Sequence, residues 1–253
     1  MAFEFKRNQS VTKGLRRLAR AQVEEALQAL RNHDRLQAVH DVRKTIKKLR
    51  SLLRLVRSGL GGSAYRGANA PLRECARLLS RPRDFHVKFD AFTELVHNFD
   101  AELASRPFPK TRQVLADDCR RAEREFQRQK TALRARTLLQ RFARQAESLK
   151  LKPSGWRALA PGIKRTYRAA RRAHRLVLRE GTAENFHEWR KQTKTLLYQV
   201  QLLCPIWPEQ MCAAKAELKH LGQLLGDDMT WCCSASPNWL NASAPRTKRR
   251  PPP

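Results

Sequence analysis

Between residues 39 and 56, Val39, Val42, Ile46, Leu49, Leu53 and Val56 recur in steps of three and four, the spacing of one face of an α-helix. The same rhythm runs through most of the chain, and no stretch alternates with the period of two that marks a half-buried strand. The pattern predicts a first helix over 10–31, with Val11, Leu15, Leu18, Ala26 and Leu30 inward. A second starts near Asp34, suited to N-capping, and ends before the glycines of 59–62. The third covers 63–80 and leads into a tight corner at "SRPRD". The fourth begins at Asp84, turns Phe92, Leu95, Val96, Phe99 and Leu103 inward, and stops before "RPFP". Residues 110–149 hold no Pro or Gly and read as one long connecting helix or two joined ones. "LKPSGW" is a linker. Helices follow at about 162–179, 182–204 and 208–226, the middle one N-capped by Thr182. The fold class is all-α.

One segment is written twice. "HDVRKTIKKLRSLLRLV" at 40–56 aligns without gaps on "HEWRKQTKTLLYQVQLL" at 187–203. His40, Arg43, Lys44 and Lys47 fall on His187, Arg190, Lys191 and Lys194, and Leu49 and Leu55 on Leu196 and Leu202. The helices before them correspond at a similar offset, and "LLSRPRD" at 78–84 is echoed more weakly by "LGQLLGDD" at 221–228. Such self-similarity predicts two antiparallel helical bundles related by a pseudo-twofold axis. The first repeat spans about 8–105 and the second about 155–228, joined through 110–149.

Charge changes the picture. In the first copy His40, Arg43, Lys47, Arg50, Arg54 and Arg57 form a second stripe, one residue out of phase with the apolar one. One residue is about 100° of rotation, so the cations look sideways along the packed face. In the second copy Phe186, Trp189, Thr193, Leu196, Val200 and Leu203 pack while His187, Arg190 and Lys194 look sideways. The stripe then fades at Leu197 and Gln201. An ordinary solvated face interleaves Glu and Lys four apart, because like charges at that spacing destabilise a helix. This stripe is nearly acid-free, and Lys13, Arg17 and Arg20, then Arg66, Arg73 and Arg77, then Lys164, Arg168, Arg171 and Arg175 add to it. The chain holds 52 Lys and Arg against 23 Asp and Glu, a net charge of +29. Self-repulsion of that size calls for a polyanionic partner: nucleic acid, inorganic polyphosphate or an anionic membrane surface.

On these residues the sequence resembles the CHAD family, the conserved histidine α-helical domain. The resemblance rests on HxxRKxxK given twice, the Arg-Asp of "LSRPRD" and the "LGQLLGDD" segment, and it covers about residues 5–228. It implies two pseudo-symmetric bundles around a basic cavity that binds inorganic polyphosphate, and a cytoplasmic protein on polyphosphate granules. His40, Arg43, Lys44, Lys47, His187, Arg190, Lys191 and Lys194 hold the motif positions, with Arg83 from the Arg-Asp pair. The charge pattern adds Arg50, Arg54, Arg73, Arg77, Lys164 and Arg168 to the candidate binding set. A polyphosphate chain offers a regular line of charge and no bases, so closely spaced Lys and Arg suffice to bind it. A sequence-tolerant nucleic-acid binder is the second reading, since its electrostatic requirement is nearly the same.

Other chemistries find little footing. The six cysteines show no CxxC or zinc-finger spacing and read as reduced thiols. His40 and His187 lack a partner at metal-ligating spacing, and an Arg three residues on repels a cation. There is no P-loop, no nucleophile elbow and no strand-borne ExExK, so no catalytic residue, metal or cofactor is expected. Neither a signal peptide nor a stretch of membrane-spanning length is read in the chain. After Asp228 the text turns to "MTWCCSASPNWLNASAPRTKRRPPP", a tail unlike the family, which continues there with a His-Asp-Leu type of helix. Met-Thr-Trp-Cys-Cys-Ser can be encoded ATG-ACC-TGG-TGC-TGC-TC, and one C restored ahead of it gives His-Asp-Leu-Val-Leu-Leu. The first reading is a single-base deletion that leaves the second bundle incomplete and 229–253 disordered; the alternative is a native, disordered basic arm ending "RTKRRPPP". Resequencing the locus is expected to recover the missing base; a clean read in the present frame ends the idea.

Overall fold

The computed structural model describes residues 2–31, 35–98, 108–152 and 154–235, with the backbone alone described at 35–36, 81–84, 86, 95, 98 and 227–235. These residues form helices and no strand. The helices are α1 (Val11–Ala29), α2 (Arg35–Leu55), α3 (Arg57–Leu60), α4 (Gly62–Leu78), α5 (Ser80–Asn98), α6 (Pro109–Arg128), α7 (Thr131–Ser148), α8 (Trp156–Arg179), α9 (Ala183–Leu203) and α10 (Pro208–Ala235). Two starts are fixed by caps, of which the sequence predicts Thr182. Ser10 Oγ accepts the Lys13 N–H at 3.3 Å, and Thr182 Oγ1 accepts the Asn185 N–H at 3.3 Å.

α2 stands at the centre, packed against α1, α4, α8 and α9. Its apolar stripe is buried as its period requires: Val39, Val42, Ile46, Leu49, Leu53 and Val56 are none of them more than 4% exposed. Leu15 and Leu18 of α1 and Leu72 and Cys75 of α4 meet it in one core. Burial pushes the Cys75 thiol up to about 12, so it packs as a neutral group. The N-terminal segment belongs to this core as well. Phe3 and Phe5 are buried, and the Phe5 N–H donates to Leu202 O at 3.0 Å, strapping the segment to the end of α9. Gly14 makes room for that strap, since a Cβ there would stand 2.6 Å from Phe5 Cδ1. The second half has a smaller cluster, Ala170, Leu196 and Val200 backed by Ile163, Met211, Ala214 and Leu218, with α9 between α8 and α10.

Several boundaries differ from those the sequence predicts. Of the two forms open for 110–149, the chain takes two joined helices, α6 and α7, because Lys130 takes the left-handed conformation (φ 49°, ψ 42°) and turns the chain. α7 is moreover a wall of the core: Ala135, Leu139, Phe142 and Ala146 are buried, and the helix packs on α1 and α4. The "SRPRD" corner is instead the first turn of α5, where Pro82 is tolerated because the first four N–H groups of a helix have no internal acceptor. Phe92 and Val96 are only half-buried on α5, whose main neighbour is α6. α8 begins at Trp156, ahead of the expected 162, and α10 runs on to Ala235 through the start of the tail. Asp34, Phe99, Leu103 and the tail beyond Ala235 lie outside the described residues.

One close approach fixes how the halves join. Gly162 of α8 lies so near α2 that a Cβ there would stand 1.9 Å from Leu55 O, whereas one on Gly67 of α4 would meet nothing within 4 Å. Gly162→Ala is therefore expected to cost about 2–4 kcal/mol by forcing α8 away from α2. Gly67→Ala should instead gain about 0.5–1 kcal/mol from helix propensity. Urea denaturation of both variants checks the pair; equal stability would show that α8 does not sit on Leu55.

Candidate polyanion-binding site

The duplicated segments are neighbours in space, and their contact is polar. The Ser51 hydroxyl of α2 donates to Thr195 O of α9 at 2.8 Å, and Gln199 Nε2 donates to Ser51 O at 3.3 Å. Arg54 Nη1 donates to Thr195 Oγ1 at 3.0 Å, and that hydroxyl donates in turn to Lys191 O at 2.9 Å. Ser51, Thr195 and Gln199 are buried, so this seam is tied by hydrogen bonds that water does not reach easily.

On the α2 side, Arg43 Nη1 donates to Ala76 O of α4 at 3.2 Å. Arg50 is half-buried, and among the described residues its buried Nε has no hydrogen-bond partner. Burial first, then the neighbouring Arg54 and to a smaller degree Arg73, holds its pKa below the ordinary value, against an opposing influence of Tyr65. The Arg57 guanidinium lies 4.8 Å from the centre of the Tyr65 ring, a cation–π contact on the same side. Among the described residues none of Arg50, Arg54 and Arg73 forms an ion pair with an acid.

On the α9 side, two cations lie across the bare backbone of α10. A Cβ on Gly226 would stand 2.7 Å from Arg190 Nη2, and one on Gly222 would stand 2.9 Å from Lys194 Cε. Residues four apart share a helix face, so the two glycines open one shallow track for both side chains. Burial lowers the pKa of Lys194, and Arg190 and then Lys219 lower it further. Lys191 pairs locally with Glu188 on its own helix, which offsets part of its charge.

The remaining predicted residues vary in placement. His40, Lys44, Lys47 and His187 are exposed along the two helices, as are Arg73 and Arg77 on α4. The Arg83 side chain lies outside the described residues. Lys164 and Arg168 stand on the outer face of α8, opposite its buried Ala158, Gly162, Thr166 and Ala170. With Pro161, Arg165 and Arg172 they rim an open depression of about 360 Å³. Among the described residues no group of three His, Cys, Asp or Glu side chains could hold a metal ion, and no helix is long and apolar enough to cross a membrane.

Residues 14–230 match the family model of the CHAD domain. The chain belongs to the CHAD family. Its fold is similar to the crystal structure of the CHAD domain from the plant Ricinus communis, with a TM-score of 0.55 and 16% sequence identity over 96% of this chain and 86% of that one. At such identity the likeness concerns the fold. No curated protein sequence is similar enough to count as a match.

Three contributors to the site of this CHAD chain escape a reading of its sequence: Lys219, Tyr65 and the steric part played by Gly222 and Gly226. The small residues four apart in "LGQLLGDD" are the available signal, but they gain meaning only once α10 lies on α9. The lowered pKa of Lys194 has a consequence for stability. Between that lowered value and the ordinary 10.5 the unfolded chain binds more protons than the folded one, so stability rises with pH in this window. Below it the charged Lys194 destabilises in full. Lys194→Met is therefore expected to be more stable than the parent at pH 7, with an advantage that shrinks toward pH 10.5. Urea midpoints at the two pH values check this, and a variant less stable at pH 7 would contradict it.

Proposed function

We propose that this CHAD chain binds inorganic polyphosphate along the α2–α9 seam, as a binding module with no catalytic step, cofactor or metal. The observation that carries the reading is the geometry of the two cationic stripes about that seam. Ser51 meets Gln199 and Arg54 meets Thr195, so advancing along α2 means going back along α9. At about 100° per residue, the cations of α2 are rotated from Ser51 in the same sense as Arg190, Lys191 and Lys194 are from Thr195 and Gln199. Equal rotation on two antiparallel helices brings both stripes to one side. A linear polyanion laid there would meet Arg43, Lys47, Arg50 and Arg54 from one helix and Arg190 and Lys194 from the other.

Two features support a phosphate chain over a base-paired polymer. The lining is made of Lys and Arg, while Phe186 and Trp189 are half-buried and Trp189 lies 4.7 Å from the His174 ring, not presented for stacking on bases. Half-burial of Arg50 and Lys194 also favours a narrow ligand that can reach between side chains. Sequence-nonspecific nucleic-acid binding is the second reading, favoured by the net charge of +29. The family likeness further supports a cytoplasmic protein recruited to polyphosphate granules.

Long-chain polyphosphate is expected to displace bound duplex DNA at matched salt, with an affinity that falls steeply as salt rises. A variant carrying Arg43→Glu, Lys47→Glu, Arg190→Glu and Lys194→Glu should lose at least about a hundredfold in affinity, measured by fluorescence anisotropy. Undiminished binding by that variant would move the site elsewhere, to the outer face of α8 first. Displacement of polyphosphate by DNA, but not the converse, would favour the nucleic-acid reading.

A further inference from the structure

The two walls of the seam are chemically unlike. In α2 the stripe continues through Arg50 and Arg54, but the aligned positions of α9 are Leu197 and Gln201. The first-copy wall gathers three guanidiniums, Arg50 and Arg54 from α2 and, from α4 packed against it, Arg73, whose charge acts on Arg50. Arg54 is already aimed by its hydrogen bond to Thr195, and Arg50 keeps a buried Nε with no acceptor. A buried donor left unmade is costly, and a charged one more so. The group that would relieve it must be anionic, must offer several acceptor oxygens, and must be small enough to reach a half-buried nitrogen. A phosphoryl group meets all three conditions, and guanidinium forks match its oxygens two at a time. On the facing wall, Lys194, next to the Thr195 that Arg54 bonds, and Lys219 are point charges, which attract phosphate without fixing its orientation.

We propose that Arg50, Arg54 and Arg73 form a clamp for a single phosphoryl group, so that the seam has a gripping wall on α2 and α4 and a sliding wall on α9 and α10. The proposal rests on the polyphosphate reading of the same seam, and it adds that short oligophosphates bind on the α2–α4 wall. A chain terminus is the favoured occupant there, because a terminal phosphoryl carries more charge and more free oxygens than an internal one.

Isothermal titration with inorganic tripolyphosphate and with long-chain polyphosphate tests it, using two double variants. Arg50→Leu with Arg54→Gln writes the second copy's residues into the first. It should weaken tripolyphosphate by about tenfold or more. Without ligand it should melt no lower than the parent, since an unpaired buried cation is gone, and it should lose the rise in Tm that tripolyphosphate produces. Arg190→Gln with Lys194→Gln should weaken long-chain polyphosphate more than tripolyphosphate. Should the first variant fail to fold, Arg50→Lys keeps the charge, removes the fork and is expected to weaken tripolyphosphate by a similar factor. Equal losses of tripolyphosphate in both double variants, or none in the first, would overturn the clamp. If long-chain polyphosphate binds the parent and tripolyphosphate does not, the clamp falls and the polyphosphate reading stands. Arg50-dependent binding of tripolyphosphate without long-chain binding leaves the clamp standing and overturns the long-chain reading, and binding of neither overturns both.

Discussion

Two helices dense in like charge lie side by side at the centre of this molecule, and the rest of the structure is arranged around keeping them there. A net charge of +29 opposes any compact state, and the opposition is strongest where α2 meets α9. The sequence answers by rotation. Apolar residues of α2 face the core, small and amide side chains face α9, and the cations take the remaining arc. Ser51, Thr195 and Gln199 let the backbones approach while hydrogen bonds tie Ser51 to both Thr195 and Gln199. Exposed pairs such as Arg20–Glu147 and Arg120–Asp117 are worth about 0–1 kcal/mol each, too little to balance such an excess. Burial of apolar surface must do it instead.

That burden is carried unevenly. The first half assembles α1, α2, α4 and α7 around Leu15, Ile46, Leu49, Leu72, Leu139 and Phe142, all fully buried. The second half has the shorter cluster around Leu196 and Val200 and borrows support from the first. The Phe5–Leu202 hydrogen bond and the Gly162–Leu55 contact are two such supports, one at the end of each duplicated helix. Leu55 and Leu202 occupy equivalent places in the sequence alignment. Each carbonyl is therefore approached by a segment from outside its own helix, by a glycine in one case and by a backbone amide in the other.

What could be read from the sequence follows the range of the interaction concerned. The apolar stripe of α2 was legible because helix periodicity and burial are the same fact seen twice. The cap at Thr182 was legible because it acts within three residues. The place of the break between α6 and α7 was not, since Lys130 adopts a left-handed conformation without Gly or Pro to announce it. Holding a side chain there costs energy that only the packing of Thr131, Ala135 and Leu139 can offset. The cations of the candidate site were legible as residue types on a helix face, but their differing environments were hidden. Arg190 and Lys194 owe theirs to two glycines more than twenty-five residues away, and Arg50 owes its own to α4.

Partial burial gives these cations their particular chemistry. A fully solvated lysine gains little from a phosphate, because water already stabilises its charge and salt screens the attraction. A fully buried one would lose its proton or pull the fold apart. Arg50 and Lys194 stand between these limits, desolvated enough to lower their pKa values and still charged. Each strains the empty protein, and each would be relieved by an anion. Binding energy at such a site is thus drawn partly from repulsion already present in the folded chain. It follows that the features that make the two helices hard to pack are the same ones that would make a polyanion bind between them.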